Sequence, residues 1–295
     1  PLRAINIESK TPQSAIKNAI GQHKQTAKGF TKTQDVFEGY KITGTLPPGG
    51  SGAKIYIASS TNNNTIVVIK NFAIGSGSQL PQIVRESRAM ESAKKLGLVI
   101  KHHLDNERFW YAMPYHAGDH LGVVTSNLHG KSKKLTTKQL QTVLCYQQTL
   151  LHTLKEYHSA GLWHKDVKPE NIIIHDGAAH LVDLGLVTPL ASAMTLTTHG
   201  TEYFRDPELV RQAMRGVKVH QVDGSKFDVF GAGAVLYFML ENTFPAHGGL
   251  SSFSKESPES IRWIIRRAMA DYDKRYNSID EMLLDVEKVL CAKDV

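Results

Sequence analysis

The 295-residue chain contains only two cysteines, no apolar run long enough to cross a bilayer and no low-complexity tract. Cys145 and Cys291 are too few and too far apart in sequence for a disulfide framework or a metal-ligand cluster. We therefore expect two buried free thiols and a reducing compartment, namely the cytoplasm. The longest apolar run, residues 230–240, has the length of a buried helix, because a membrane span needs about 20 residues.

The chain also lacks an initial methionine, a signal-peptide core and any pairing of positive charge with aromatic residues. Because it begins at Pro1, we expect it to be a fragment. Lys and Arg total 35 against 28 Asp and Glu, which gives a net charge of +7. The lysines are scattered without interleaved aromatic residues, which favours a solvated surface over a nucleic-acid-binding face. We predict no nucleic-acid partner and no membrane span in this chain.

Residue patterns divide the chain into three parts. Residues 1–34 are polar and basic with few large apolar residues, which predicts an N-terminal extension. Residues 35–116 contain four short β-type runs between turn residues and one helical stretch, PQIVRESRAMESAKKL. Residues 117–295 are dominated by helical periodicity. We therefore predict an α+β fold with two lobes, a small antiparallel sheet carrying one helix and then a mainly helical lobe.

The helical part has readable start and stop signals. Leucines from Leu140 to Leu154 recur at helix spacing, and Gly161 follows them as a C-terminal stop would. Ser278, with Glu281 three positions later, predicts a capping box at the start of a final helix.

The stretch WHKDVKPENIII, residues 163–174, sets charged and amide side chains beside an apolar run. The turn HDG and a second apolar run follow, so a β-hairpin is predicted. The hairpin would hold Asp166 and Asn171 at its entrance and Asp183 at its far end, with their oxygens directed at one point. Mg²⁺ prefers one or two carboxylates together with substrate phosphates, so the pattern predicts a magnesium site beside a phosphate.

These motifs resemble those of a known enzyme family. HKDVKPEN is similar to the catalytic loop H-R-D-x-K-x-x-N of eukaryotic-type serine/threonine protein kinases, and DLG at residues 183–185 is similar to their D-F-G. The resemblance extends from about Tyr40 to Leu290. It implies the bilobal protein kinase-like fold, with one kinase domain over about residues 38–292, an N-lobe to residue 116 and a C-lobe after it.

The resemblance also implies roles for the loop residues. Asp166 matches the catalytic base that orients the substrate hydroxyl, and Lys168 matches the lysine that steadies the transferring phosphoryl group. Asn171 and Asp183 match the two magnesium ligands. The transferred phosphoryl group is anionic, so catalysis depends on placing metal and lysine charge beside it in a dry cleft.

TIVVIKNF resembles the strand motif V-A-I-K, which makes Lys70 the candidate for holding the α- and β-phosphates. A buried ammonium without an anion is costly, so we expect a carboxylate partner. Both Glu86 and Glu91 are open as that partner. Glu86 is preferred, because Met90 then falls where the family has an apolar spine residue, whereas Glu91 would put Lys95 there.

PPGGSGAKIYIAS is the candidate phosphate-covering loop, and it fits the family's G-x-G-x-x-G in two ways. A start at Gly50 puts Ile55 on the third glycine. A start at Pro48 aligns AKIYIA with G-x-V-Y-x-A and gives the family's separation between Ile55 and Lys70, so it is favoured. We expect a loop stiffer at its entry and more flexible at its tip. The candidate nucleotide-contacting residues of this segment are Gly49, Gly50, Ser51, Gly52, Ala53 and Ile55.

FWYAMPYHAGDHL resembles the strand and hinge that bind adenine in the family. The resemblance puts Met113 at the gatekeeper position and Pro114 to His116 in the hinge. Pro114 has no N–H, but the family uses only the carbonyl of that position. His116 would supply a backbone N–H and a second carbonyl, and His120 or its neighbour Asp119 would contact the ribose.

GTEYFRDPE resembles G-T-x-x-Y-x-A-P-E, with Asp206 in place of the alanine. Glu208 would then be the family's buried glutamate and Arg275 its ion-pair partner. Asp228, in the central helix, would brace the catalytic loop. Thr201 matches the threonine that hydrogen-bonds the catalytic Asp and Lys in serine/threonine-specific members.

AMTLTTHGT supplies Thr195, Thr197 and Thr198 as candidate regulatory phosphosites, with Thr197 matched by alignment. The arginine of H-R-D is Lys165 here, and lysine binds phosphate as a point charge without the bidentate fork of arginine. We therefore expect activation by loop phosphorylation to be weak or absent.

The resemblance implies an ATP-dependent protein kinase that uses Mg²⁺, with Mn²⁺ as an alternative, and phosphorylates Ser and Thr of protein substrates and of itself. A second hypothesis is a nucleotide-binding pseudokinase that acts as an interaction scaffold, because the glycine loop, Lys165 and Leu184 depart from the family pattern. A third is a small-molecule kinase of similar fold. Such enzymes usually lack both the lysine two residues after the catalytic Asp and the GT…PE segment. This chain has both, which disfavours the third hypothesis.

Overall fold

The computed structural model describes residues 37–47, 51–76, 80–130, 132, 134–198, 202–246, 250 and 252–292. The α+β architecture of two lobes that the sequence predicts is confirmed. The predicted N-terminal extension, residues 1–34, lies outside the described residues. None of the helices described is both long and apolar enough to span a membrane.

A five-stranded antiparallel sheet forms the N-lobe, with β-branched and aromatic residues concentrated in its central strands. The strand order is β1-β2-β3-β5-β4. The strands are β1 (Tyr40–Leu46), β2 (Lys54–Ser60), β3 (Ile66–Ala73), β4 (Lys101–Leu104) and β5 (Arg108–Pro114). Strand β4, sequence KHHL, is missing from the prediction because a short edge strand with two histidines lacks an apolar alternation.

The N-lobe has two short helices where the sequence predicts one. Helix α1 is Leu80–Ser87 and helix α2 is Met90–Lys95, with a turn at Arg88 and Ala89 between them. The Ala89 N–H donates to the Glu86 carbonyl at 3.1 Å, an i to i−3 bond that interrupts the α-helical ladder. Helix α1 buries Ile83 and Glu86, which turns the glutamate towards the sheet.

The C-lobe is built around one helix that is buried from Phe227 to Glu241. It is apolar on all sides, as expected for a helix surrounded by protein. The C-lobe helices are α3 (Leu121–His129), α4 (Thr137–Ser159), α5 (Pro207–Met214), α6 (Ser225–Glu241), α7 (Glu259–Ala268) and α8 (Ile279–Cys291). Helix α4 begins with a capping box at Thr136 and ends before Gly161, which has φ +72°, as the sequence predicts for its stop.

Two predictions for the C-lobe surface need correction. Ser278 accepts the Glu281 N–H at 3.3 Å, but the Glu281 carboxylate binds Asn277 instead, so half of the capping box forms. Cys145 and Cys291 were predicted to be buried, and both are exposed. Cys145 lies outside the leucine stripe of α4 that faces the core, and Cys291 is the last residue of α8.

The predicted hairpin is present and positions the site. Strands β8 (Ile172–His175) and β9 (Ala178–Leu181) pair antiparallel. Both turn residues have positive φ, +49° at Asp176 and +79° at Gly177, as a two-residue type I′ turn requires. Three further short strands are β6 (Asp119–His120), which pairs with β8, and β7 (Leu162–Trp163), which pairs with β10 (Thr188–Pro189). Because β7 precedes the hairpin and β10 follows it, their pairing brings the two segments that flank the hairpin together.

Candidate active site

A cleft of about 670 Å³ is lined by the sheet and by the segments flanking the hairpin β8–β9. It brings together Lys70 from β3, Asn171 before the hairpin and Asp183 after it. Ser51 and Ile55 from the predicted glycine-rich segment also line it. These residues are distant in sequence, so the fold, and not local structure, makes them one site.

Lys70 contacts two carboxylates inside this cleft. Its ammonium lies 3.0 Å from Glu86 Oε1 and 3.1 Å from Asp183 Oδ1. Of the two glutamates open in the sequence, the partner is therefore Glu86, while Glu91 lies 3.4 Å from His102. The buried lysine has the anionic partners that its burial requires.

Two residues that the sequence did not single out hold Glu86 in place. The Tyr111 hydroxyl donates to Glu86 Oε2 at 2.5 Å, and the Gln82 amide donates to Oε1 at 2.5 Å. Gln82 also donates to the Gly185 carbonyl at 2.8 Å, which ties α1 to the DLG segment. Tyr111 lies directly opposite Lys70 in the β3–β5 register, so the strand pairing was the signal for it.

Electrostatics keep Lys70 and Asp183 charged. Burial alone would lower the pKa of Lys70, but the Asp183 and Glu86 carboxylates outweigh it and raise that pKa above its ordinary value. Burial likewise opposes ionisation of Asp183, and Lys70 reverses this and holds its pKa below the ordinary value. Burial and the adjacent Glu86 raise the pKa of Tyr111, so its hydroxyl remains a donor.

The catalytic-loop candidates contact one another. Lys168 Nζ lies 2.8 Å from Asp166 Oδ2. The Asn171 amide donates to the Asp166 carbonyl at 2.9 Å and to its carboxylate at 3.0 Å. Asp166 is therefore oriented by an amide and a lysine from its own loop.

Asp228 braces this loop by accepting hydrogen bonds from its backbone, as the sequence predicts. From α6 it accepts the backbone N–H of His164 at 2.8 Å and of Lys165 at 2.9 Å. His158 Nε2 lies 2.9 Å from the same carboxylate. Lys165 has φ +70°, a left-handed conformation unusual for lysine, and these bonds fix it.

The residues present suit a hard divalent cation. The Asp183 side chain is 45% exposed to the cleft and Asn171 lines the same space. A carboxylate and an amide oxygen beside a lysine fit Mg²⁺ or Mn²⁺, which bind oxygen ligands and share them with phosphate. A larger residue at Gly185 would disturb this arrangement, since a Cβ there would lie 3.0 Å from Asp183 Oδ1.

The predicted hinge lines the opposite side of the cleft. Met113, Pro114 and His116 all contribute to its surface. Pro114 is the last residue of β5, so its missing N–H removes little from the strand ladder. The His116 ring stacks on His180 with centroids 4.0 Å apart, a contact that the sequence did not indicate. Burial and the rings of His180 and His175 lower the pKa of His116 to about 4, so it is neutral near pH 7.

Several predicted nucleotide contacts are not brought to the cleft. His120 and Asp119 are exposed in β6 and are not among the residues lining it. Ala53 is 1% exposed as a residue and belongs to a buried apolar cluster, and its N–H donates to Ser51 Oγ at 3.5 Å. Gly52 has φ +72°, which a glycine adopts without strain. Gly49 and Gly50 lie outside the described residues.

The predicted ion pair of Glu208 with Arg275 is wrong. Arg275 pairs with Asp206, with one guanidinium nitrogen 3.3 Å from Oδ1 and another in contact with Oδ2. Asp206 is the N-cap of α5, so its side chain turns back into the core and is 2% exposed as a residue. Glu208 lies in the first turn of α5 and binds Arg211 at 2.7 Å.

The segment after DLG approaches Lys165. The Lys165 ammonium lies 3.3 Å from the Thr197 hydroxyl and 4.9 Å from the centroid of the Trp163 ring. Burial and the charge of Arg85 lower the pKa of Lys165 to about 8. Thr201, predicted to contact the catalytic Asp and Lys, lies outside the part of the chain that the structure describes.

Comparison with known proteins gives one family. The family model for the protein kinase domain matches residues 41–295. CBL-interacting serine/threonine-protein kinase 20 of Arabidopsis thaliana is 29% identical over 69% of this chain and 45% of its own length. Serine/threonine-protein kinase STE20 of Debaryomyces hansenii is 26% identical over 88% of this chain and 24% of its own. Probable serine/threonine-protein kinase SCO3848 of Streptomyces coelicolor is 27% identical over 87% and 40%. The chain spans less than half the length of each of these relatives.

Proposed function

Because the chain belongs to the protein kinase family, we propose that it is an active kinase that transfers the γ-phosphoryl group of MgATP to serine and threonine hydroxyls of proteins, itself included. The observation that supports this best is the contact of Lys70 with both Glu86 and Asp183. In this contact the candidate for phosphate binding, Lys70, lies beside one candidate metal ligand, Asp183. The charged groups that phosphoryl transfer needs are therefore present.

The nucleotide would lie between the hinge and Lys70. The backbone of Pro114 and His116 offers one carbonyl, one N–H and a second carbonyl for the adenine edge. The Lys70 ammonium, held 3.0 Å from Glu86, would meet the α- and β-phosphates with its charge already oriented. Asn171 and Asp183 would hold Mg²⁺, or Mn²⁺, whose charge would balance that of the β- and γ-phosphates.

Asp166 and Lys168 would act on the transferring group. Asp166, fixed by the Asn171 amide at 3.0 Å, orients the acceptor hydroxyl and receives its proton as the new O–P bond forms. Lys168 lies 2.8 Å from Asp166 and thus on the same side, where its charge stabilises the γ-phosphoryl oxygens. The bond from the γ-phosphorus to the bridging oxygen breaks, and ADP leaves.

Serine and threonine are the favoured acceptors for two reasons. Lys168 stands two residues after Asp166, as in the serine/threonine-specific members that the catalytic loop resembles. The names of the relatives describe serine/threonine-protein kinases.

A transfer assay with radiolabelled ATP and Mg²⁺ tests the proposal, using autophosphorylation and a generic basic protein as acceptors. Wild type is expected to incorporate label, and Asp166→Ala is expected to lose it. Asp273→Ala, which removes an exposed carboxylate that is not among the residues lining the cleft, is the matched control and should keep activity.

The other functional classes give different results. No label from either protein, with thermal stabilisation by nucleotide, would identify a nucleotide-binding pseudokinase. Label transferred to a sugar or an aminoglycoside and not to protein would identify a small-molecule kinase.

A further inference from the structure

Helices α4 and α8 pack side by side in the C-lobe and run antiparallel. Their contacts give the register: Lys155 Nζ lies 2.5 Å from Asp280 Oδ1, and Gln148 Nε2 lies 3.3 Å from Glu287 Oε1. As residue numbers fall along α4 they rise along α8. Each of the two polar contacts therefore marks one position on α4 and one on α8 that lie side by side along the helix pair.

Both cysteines belong to the stripes that make these contacts. The α4 stripe has helix spacing of three and four residues. It consists of Cys145, Gln148, His152 and Lys155. The α8 stripe has the same kind of spacing. It consists of Asp280, Leu284, Glu287 and Cys291. Each cysteine is thus the next member of its stripe beyond the Gln148–Glu287 hydrogen bond.

The two thiols come to nearly the same level along the helix pair. With a rise of about 1.5 Å per residue, Cys145 lies about 4.5 Å beyond Gln148 and Cys291 about 6 Å beyond Glu287, in the same direction. The offset between them is therefore about 1.5 Å. Both cysteines are exposed, so small oxidants reach them. Cys291 ends α8 and Ala292 is extended, so the last turn of α8 can adjust.

We propose that Cys145 and Cys291 are a dithiol modification site that closes to an intramolecular disulfide across the α4–α8 seam. The reaction is thiol–disulfide exchange with a low-molecular-weight disulfide such as oxidised glutathione. The thiolate of one cysteine attacks a glutathione sulfur, forms a mixed disulfide and releases one glutathione thiolate. The thiolate of the other cysteine then attacks the protein sulfur of the mixed disulfide and releases the second. Two protein thiols are oxidised while one glutathione disulfide is reduced to two thiols.

The closed disulfide would act on stability and not on the chemistry of transfer. It joins residues 145 and 291, so it limits the unfolded chain over a long loop. Cys145 lies about 18 Å along α4 from Tyr157, in the half of the helix farther from the catalytic loop. We expect oxidation to raise the melting temperature of the full chain on the order of 5 °C.

The test treats the purified full chain with oxidised glutathione and measures intact mass, non-reducing mobility and melting temperature. Wild type should lose two hydrogens, retain no glutathione and gain thermal stability. Cys145→Ser and Cys291→Ser should each retain one glutathione, because the resolving thiol is absent. The double variant should show no change. Wild type that keeps two glutathiones, or that forms linked dimers, would overturn the proposal.

A second measurement asks whether the native helix register brings the thiols together. The equilibrium constant for forming the Cys145–Cys291 disulfide from glutathione is measured in native buffer and in concentrated guanidinium chloride. The native value should exceed the denatured value at least about tenfold, because the folded seam raises the effective concentration of one thiol at the other. A ratio near one would mean that the seam does not pair them.

Discussion

Arg275 forms its buried ion pair with Asp206, and the same carboxylate caps α5 by accepting the Glu208 N–H at 2.9 Å. One side chain thus starts a helix and neutralises a guanidinium that is itself buried. Glu208, two residues later, binds Arg211 nearer the surface. The sequence favoured Glu208 as the partner of Arg275. In the structure Asp206 both forms that ion pair and caps the helix.

Replacement of Asp206 is therefore expected to cost far more stability than replacement of Glu208. Asp206→Asn keeps a capping oxygen but leaves Arg275 without its counter-ion, which should lower the free energy of unfolding by about 3–5 kcal/mol. Glu208→Gln should lower it by about 0–1 kcal/mol, as for exposed pairs. Urea unfolding of both variants measures this. Equal losses would contradict the assignment of Asp206 as the partner of Arg275.

Activity should depend on Glu86 and not on Glu91. Glu86→Gln removes the charge that orients Lys70, so kcat/KM should fall on the order of tenfold to a hundredfold. Glu91→Gln changes a carboxylate that lies beside His102 and should leave kcat/KM within about twofold. Steady-state transfer to a generic basic protein distinguishes them. A similar loss in both variants would contradict the assignment of Glu86.

Thr197→Ala should retain activity within about threefold, because Lys165 lacks the bidentate fork with which arginine binds phosphate, so phosphorylation of Thr197 would add little, and the variant loses only one long neutral hydrogen bond of 3.3 Å. Thr197→Glu should give no gain. Initial rates of label transfer measure both, with Thr198→Ala as the neighbouring control. A large loss in Thr197→Ala that Thr197→Glu restores would instead make loop phosphorylation the activating event.

The titration of Lys165 should appear in the pH dependence of stability. Burial first, and Arg85 second, lower its pKa from 10.5 to about 8 in the folded protein. Between these values the unfolded state binds more protons than the folded state, so the contribution to stability rises with pH from about 8 to about 10.5. Below about pH 8 that contribution is lost, because the buried ammonium is charged in both states.

Lys165→Arg is the matched control, because guanidinium stays charged over this whole range. The free energy of unfolding of wild type minus that of Lys165→Arg should increase by about 1–3 kcal/mol across the window. Urea unfolding at several pH values measures the difference. If it stays constant from pH 8 to pH 10, Lys165 does not titrate there.

Correct predictions have two sources. The long-range contacts of Lys70 with Glu86 and of Asp228 with the catalytic loop came from the resemblance to the kinase family, while residue patterns alone predicted local features. The turn between β8 and β9 and the stop of α4 at Gly161 follow from short-range turn and capping chemistry. The grouping of Asp166 with Asn171 also follows from neighbours in sequence.

What the sequence did not predict depends on long-range packing. Tyr111 reaches Glu86 because β5 pairs with β3, and His180 reaches His116 because β9 folds under the hinge. Arg275 pairs with Asp206 and not with Glu208 because the Asp206 side chain turns inward at the start of α5. Spacing in one chain does not contain this information, since each case needs the relative placement of two separate elements.

The contacts that α1 makes through Glu86 and Gln82 have a consequence for conformational equilibrium. Displacement of α1 would break the contacts of Glu86 with Lys70 and Tyr111 and that of Gln82 with the Gly185 carbonyl, and it would leave the buried Lys70 ammonium without one of its counter-ions. A conformer in which α1 has moved away from Lys70 and Tyr111 should therefore be a minor population. A ligand that binds only that conformer has its apparent affinity reduced by the same small fraction. Inhibitors that accept α1 in place are expected to bind this chain in preference to those that require its displacement.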